Sequence, residues 1–121
     1  MAERMAILRV RLAACREAAN AAGSNDADAL ASAIAGHLDG LRAAELPAAA
    51  QLVWIERVAR PLKADPAKPL PARAIAAIRS SPSGRIAQLA AALAEIEHLV
   101  RAEEIDAANE VIYAEISRTY S

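Results

Sequence analysis

The stretch "RPLKADPAKPLPAR", residues 60–73, divides a chain that otherwise favours helix into two parts. It holds four of the chain's six prolines and a single carboxylate, Asp65. Proline has no backbone N–H and pushes the preceding residue toward extended conformations, so this stretch does not continue a helix. We therefore predict a Pro-rich connector over residues 61–71, between helices three and four, with helices in residues 1–60 and 72–121.

The composition predicts helices on both sides of the connector. The 121 residues include 34 alanines, but only one tryptophan, two tyrosines and no phenylalanine. Alanine has the highest intrinsic helix propensity, whereas strands favour the β-branched and aromatic side chains that are scarce here. We expect one all-α domain over residues 1–121, folded as a small bundle of five or six helices with a thin, closely packed core.

Three helices are predicted before the connector, each from apolar residues three or four positions apart. The first ends at Gly23, and Ser24, Asn25 or Asp26 caps the second. Gly36 and Gly40 lie in the second and suggest close contact with another helix. The three stripes are, in order, Met1, Met5, Leu8, Leu12, Cys15, Ala19 and Ala22; Leu30, Ile34, His37 or Leu38, and Leu41; and, after Pro47, Leu52, Ile55, Val58 or Ala59, and Leu62, with Trp54 beside the last.

Two further elements follow the connector. A short helix covers about residues 72–79, and Ser81 followed by Pro82 is a typical start for the next helix. Its apolar stripe continues without an intervening glycine or proline, so residues 84–119 fit either one long helix or two helices with a bend near residues 103–106. The stripe comprises Ile86, Leu89, Leu93, Ile96 and Val100, then Ile105, Ala108, Ile112 and Ile116.

The charges are separated along the chain. Residues 47–85 contain seven basic and two acidic residues, whereas residues 86–121 contain two basic and seven acidic residues. The basic middle either pairs with the acidic C-terminal part on folding or faces an external partner. The residues that we assign to such a partner or to an anion are Arg57, Arg60, Lys63, Lys68, Arg73, Arg79, Ser81, Ser83 and Arg85.

The sequence gives no positive support for an enzyme. It has no catalytic triad arrangement, zinc-ligand spacing or glycine-rich dinucleotide loop. Glu95 and His98 have the spacing of a di-iron helix, but only two histidines exist and His98 lies away from the apolar stripe. The lone Cys15 lies on the apolar stripe of the first helix, where a thiol acts as a small hydrophobe. We expect no metal and no cofactor.

Residues 72–100 also resemble a DNA-binding layout. A short helix, a Ser-Pro turn and a longer helix are the parts of a helix-turn-helix, in which Arg73, Arg79 and Arg85 would contact phosphates. The longer helix, which would read the DNA, then offers Gln88, alanines and glutamates, which include few donors for base edges.

The function that the sequence favours is a non-catalytic protein-interaction module, an adaptor, assembly or regulatory protein. It would bind another protein, or itself as a homodimer, through an apolar helix face of Met5, Leu8 and Leu12 or of Leu93, Ile96 and Val100. A helix-turn-helix DNA-binding regulator is the alternative. Charged residues interrupt any secretory segment, and no uncharged run approaches the ~20 residues of a membrane span, so we expect a cytoplasmic protein without a membrane partner.

Overall fold

The structure is a computed structural model that describes residues 2–20, 27–80 and 83–120, and these residues contain helices and no strand. The predicted all-α bundle is confirmed. Within the described ranges there are five α-helices: α1 (Ala2–Asn20), α2 (Ala27–Asp39), α3 (Ala48–Trp54), α4 (Ala72–Arg79) and α5 (Ser83–Tyr120). A 3₁₀ turn, Ala43–Glu45, precedes α3, and a π-helical turn, Ile55–Ala59, extends it.

Helix α5 is the longest element of the bundle. Its 38 residues form one continuous helix, about 57 Å long at about 1.5 Å per residue. The sequence left open one helix or two, and the structure shows one, because no glycine or proline follows Gly84 to interrupt its hydrogen bonds. It packs against α1 and α3, while α2 packs against α1 and α4.

Two ion pairs between α1 and α5 show how the two helices are oriented. Arg9 lies 3.5 Å from Glu104, and Arg16 lies 3.3 Å from Glu97. The partners are seven residues apart on each helix but run in opposite order, so the helices are antiparallel. Glu97 is only 6% exposed, and its Oε2 accepts no hydrogen bond from the described residues. A carboxylate in this position depends on the Arg16 charge, because an uncompensated buried charge is costly.

Trp54 is the largest side chain in the core and sets which face of α3 is buried. It is 2% exposed, whereas Leu52 is 66% exposed. The buried stripe of this segment therefore runs through Trp54, Val58 and Leu62, and the predicted stripe is wrong at Leu52. The bulky indole has more apolar surface to bury than one leucine. The side of α3 that carries Trp54 therefore faces the core.

The two apolar faces predicted to bind a partner belong instead to the intramolecular core. Residues from α1 and α5 in these faces pack against each other within one contiguous cluster, and Met5 packs at its edge. The chain itself therefore covers both faces, because this contact is what joins its two longest helices. The residues concerned are Met5, Leu8, Leu12, Leu93, Ile96 and Val100.

The Pro-rich connector is fastened to the end of α2. The Pro66 carbonyl accepts a hydrogen bond from the Ala43 N–H at 3.1 Å, and Asp39 Oδ1 accepts one from the Leu70 N–H at 3.1 Å. Leu62, just before the central prolines, and Leu70 are buried. The connector is therefore a docked part of the bundle, whose polar backbone groups find partners outside any helix.

Lys63, near the start of the connector, has an unusual backbone conformation. The Ala64 N–H donates to the Ala59 carbonyl at 2.9 Å and the Lys63 N–H to the Arg60 carbonyl at 3.0 Å. These two bonds form the helix-ending motif that places glycine at the position of Lys63 in most proteins. Lys63 has φ 53, and it is the one non-glycine residue with positive φ in the described chain.

The two glycines of the second helical segment differ in their surroundings. A Cβ at Gly40 would stand 3.4 Å from the His37 carbonyl oxygen and 3.7 Å from Arg11 Nη1. A Cβ at Gly36 would meet no heavy atom within 4 Å, so the predicted close helix contact is wrong there. The predicted cap and turn residues Gly23, Ser24, Asn25, Asp26, Ser81 and Pro82 lie outside the described residues.

We predict that Gly36→Ala stabilises the protein. Gly36 lies inside α2 without positive φ and with open space where the methyl group would stand. Alanine there lowers the entropy of the unfolded chain and should raise the free energy of unfolding by about 0.5–1 kcal/mol. Denaturant unfolding followed by circular dichroism measures the change. A destabilised variant would contradict the open, regular environment described for Gly36.

Cys15 should react with thiol reagents only when the protein unfolds. Burial raises the pKa of its thiol from the usual 9.0 to about 12, and the thiolate is the reactive form. Between those two values the unfolded chain releases a proton that the folded chain retains, so stability falls as the pH rises through that range. Iodoacetamide labelling at about pH 8 should be slow in buffer and complete in denaturant. Rapid labelling of the folded protein would contradict this burial.

Candidate protein-interaction surface

Residues 105–120 of α5, which we call the arm, extend past the last buried position of the helix. Val100 is fully buried, whereas every residue from Ile105 to Tyr120 is exposed. The arm is about 24 Å long at about 1.5 Å per residue. An isolated helix of this length is marginal in water, because most helical stability in proteins comes from packing an apolar face.

One face of the arm carries four large apolar residues, and we call these residues the arm stripe. They are Ile105, Ile112, Ile116 and Tyr120, which fall within an arc of about 80° at about 100° per residue, and Asn109 lies between the first two in the same arc. Their exposed fractions range from 48% for Ile116 to 85% for Tyr120. Four large exposed apolar residues on one face differ from a single exposed leucine, which needs no explanation.

The arm stripe is not a continuation of the core face of α5. Ile112 lies about 120° around the helix from Val100, and Ile116 lies about 160° from Ile96, at about 100° per residue. The apolar pattern therefore changes phase between residues 100 and 105. A partner on the arm stripe would approach from a side of α5 that α1 does not occupy.

A groove lies at the base of the arm, beside the start of α1. It has a volume of about 430 Å³, and charged side chains including Arg4, Glu45 and Glu104 line it alongside apolar ones. The groove is wide enough for an apolar side chain from another molecule. The apolar residues that line it are Met5, Leu46, Pro47, Ala107, Ala108 and Val111.

The structure divides the predicted basic residues into separate groups. Arg57 pairs with Glu95 on α5, and Arg60 pairs with Glu56 at 2.7 Å. Part of the basic middle therefore pairs within the chain, once with the acidic C-terminal helix and once with a neighbour.

The other basic residues have different surroundings. Lys63, Arg73 and Arg85 line one cleft. Lys68 and Arg79 are exposed, and no ion pair joins either to a described carboxylate. Of the two serines predicted beside them, Ser81 lies outside the described residues, and Ser83 is the first residue of α5.

The helices of the helix-turn-helix prediction are present, but their packing does not favour it. α4 packs mainly against α2, whereas the two helices of that motif form a joint unit on DNA. The first turns of α5 expose Ala87, Gln88 and Ala91, and Glu95 is engaged by Arg57. This face offers few donors to base edges.

The described residues contain no group of three or more His, Cys, Asp or Glu side chains placed to hold a metal ion. His98 is exposed, and the carboxylate of Glu95, three residues before it, contacts Arg57. None of the described helices is both long and apolar enough to cross a bilayer.

The arm stripe was present in the sequence, but its exposure was not evident. Ile105, Ile112 and Ile116 were assigned to the same apolar run as Leu93, Ile96 and Val100. The missed signal is the change of phase after Val100, which places the second set of residues on another side of the helix. A helical-wheel comparison of the two sets would have revealed it.

Comparison with known proteins adds no functional information. No family model matches the chain, and no match to it was found among curated proteins or solved structures.

Proposed function

We propose that this protein is a non-catalytic interaction module that binds another protein chain through the arm stripe. The observation that carries the proposal is the exposure of Ile105, Ile112, Ile116 and Tyr120 within one arc of the arm. The other residues of the arm are polar or alanine, except Val111 and Tyr113, which are also exposed. An amphipathic helix with anchors three, four or seven residues apart is a common recognition element for helical partners and grooves.

The free energy gained by burying the arm stripe indicates what kind of partner can bind it. Burying each large side chain of the arm stripe contributes about 1.5–3 kcal/mol, so four contribute roughly 6 kcal/mol or more. Association costs about 4–15 kcal/mol in lost freedom of motion. The partner must therefore bring an apolar face of its own, and a second copy of this chain does so through its own arm.

The arm also has a charge preference. Asp106, Glu110 and Glu115 are acidic, and Arg118 is the one basic residue within it. Two parallel or antiparallel arms would repel each other weakly, and salt would screen that repulsion. A heterologous partner with basic residues beside its apolar face would bind more tightly than a second copy at low salt.

Replacing Ile112 and Ile116 together by glutamate should abolish partner binding without unfolding the bundle. Both residues are more than two turns beyond Val100, so the core and its Trp54 are untouched. Ala114→Glu is the matched control, because it adds a carboxylate to the exposed arm about 160° from the centre of the arm stripe, at about 100° per residue. Sedimentation velocity at several concentrations measures self-association. Affinity capture from cell extract, with and without nuclease, measures binding to other proteins.

The wild type and the control should form the same complex, and the double variant should remain free with an unchanged unfolding midpoint by tryptophan fluorescence. Complexes that persist in the double variant would contradict the proposal. Complexes that disappear only after nuclease treatment would favour the nucleic-acid alternative.

A further inference from the structure

A second surface lies at the junction of the connector, α4 and α5, far along the chain from the arm. It is a cleft of about 310 Å³ lined by three basic and three apolar residues, with no carboxylate among them. The lining residues are Pro61, Leu62, Lys63, Arg73, Ala77 and Arg85.

The three cations of the cleft are not neutralised by described residues. Elsewhere in the fold, Arg9, Arg16, Arg57 and Arg60 each lie in an ion pair with a glutamate, whereas Lys68 and Arg79 are exposed without one to any described carboxylate. In the cleft, no described carboxylate lies within ion-pair distance of Lys63, Arg73 or Arg85. Three like charges at one cleft repel each other, and a bound anion would relieve that repulsion.

The nearby carboxylate in the sequence is occupied elsewhere. Asp65, two residues after Lys63, accepts a hydrogen bond from the Ala67 N–H at 2.9 Å and shapes the connector turn. Asp65 does not line the cleft, and no ion pair joins it to a described cation.

The backbone helps to hold these cations in place. Arg73 Nη2 donates to the Lys63 carbonyl at 2.9 Å, which leaves most of the five guanidinium N–H groups for a ligand. Arg85 is half-buried in the first turns of α5. An arginine that is already oriented loses less freedom when it binds an oxyanion.

Lys63 brings its ammonium group to the cleft from an unusual backbone conformation. Its φ of 53 is a conformation that costs a lysine free energy relative to glycine. Glycine would complete the same helix-ending motif without that cost. A lysine in this position gives up stability, and what it adds is an ammonium group at the cleft.

We propose that this cleft binds a phosphate monoester dianion. Arginine guanidinium groups match the oxygens of phosphate in pairs, and a lysine adds a point charge. A dianion matches three cations better than the single charge of a phosphodiester does. The proposal is independent of the arm, since no residue is shared between the two surfaces.

Inorganic phosphate and O-phosphoserine are the probes, titrated into the full chain at constant ionic strength with backbone amide shifts as the readout. Both should shift the amides around Lys63, Arg73 and Arg85 in a saturable manner, whereas dimethyl phosphate should bind more weakly. Lys63→Gly and Arg85→Gln should each weaken binding by about tenfold or more, as expected for the loss of a charge-assisted contact. Arg79→Gln removes an exposed cation from α4 outside the cleft and should change binding by less than about twofold.

Lys63→Gly separates a ligand-binding role from a structural one. It should raise the midpoint of denaturant unfolding while weakening phosphate binding, because it removes both the backbone cost and the cation. No saturable shift with either probe would overturn the proposal, as would an equal loss of binding in Arg79→Gln. Preferential binding of dimethyl phosphate or duplex DNA over the monoesters would overturn it in favour of a nucleic-acid backbone site.

Discussion

The rest of the structure depends on the burial of one face of α5 against α1 and α3. The core contains many alanines and a single large aromatic residue, Trp54. Each alanine contributes little apolar surface, so the helices gain stability chiefly by close approach along their length. Two ion pairs, Arg9 with Glu104 and Arg16 with Glu97, lie along this long antiparallel contact. The connector and α2 then complete the far side of the bundle.

The same helix also forms the arm. Since α5 is unbroken, the direction set by its packed half determines where residues 105–120 lie. The phase change after Val100 turns the arm stripe away from the core, so the bundle cannot bury it by small adjustments. A rigid core that presents a separate apolar face is an arrangement well suited to binding, because little of the bundle must rearrange when a partner arrives.

The positions of the helices could be predicted from the sequence. Which face of each helix is buried and which is exposed could not. The start of α4 follows from the prolines before it, and the amphipathic pattern of α1 places Leu8, Leu12 and Cys15 together. Leu52 and Trp54 lie on different sides of α3, and only one of these sides faces the core. Trp54 is buried, so Leu52 is exposed.

The surroundings of the basic side chains were harder to predict, because they depend on which of them form ion pairs with carboxylates. Arg57 finds Glu95 across nearly forty positions of sequence, whereas Lys63 and Arg73 find no described carboxylate. A count of charges along the chain cannot distinguish a paired arginine from an unpaired one. The left-handed conformation of Lys63 was also hidden, since the sequence around it contains no glycine to mark a helix end.

The most direct test of this account is residue-specific hydrogen exchange on the dilute protein. If α5 is a packed helix with a free arm, the amides of Leu93, Ile96 and Val100 should exchange only on global unfolding, while those of residues 106–120 should exchange orders of magnitude faster. Addition of a binding partner, or concentration to the point of self-association, should slow exchange in the arm alone. Equal protection along the whole of α5 in the dilute monomer would contradict the account, because it would mean that the chain itself covers the arm.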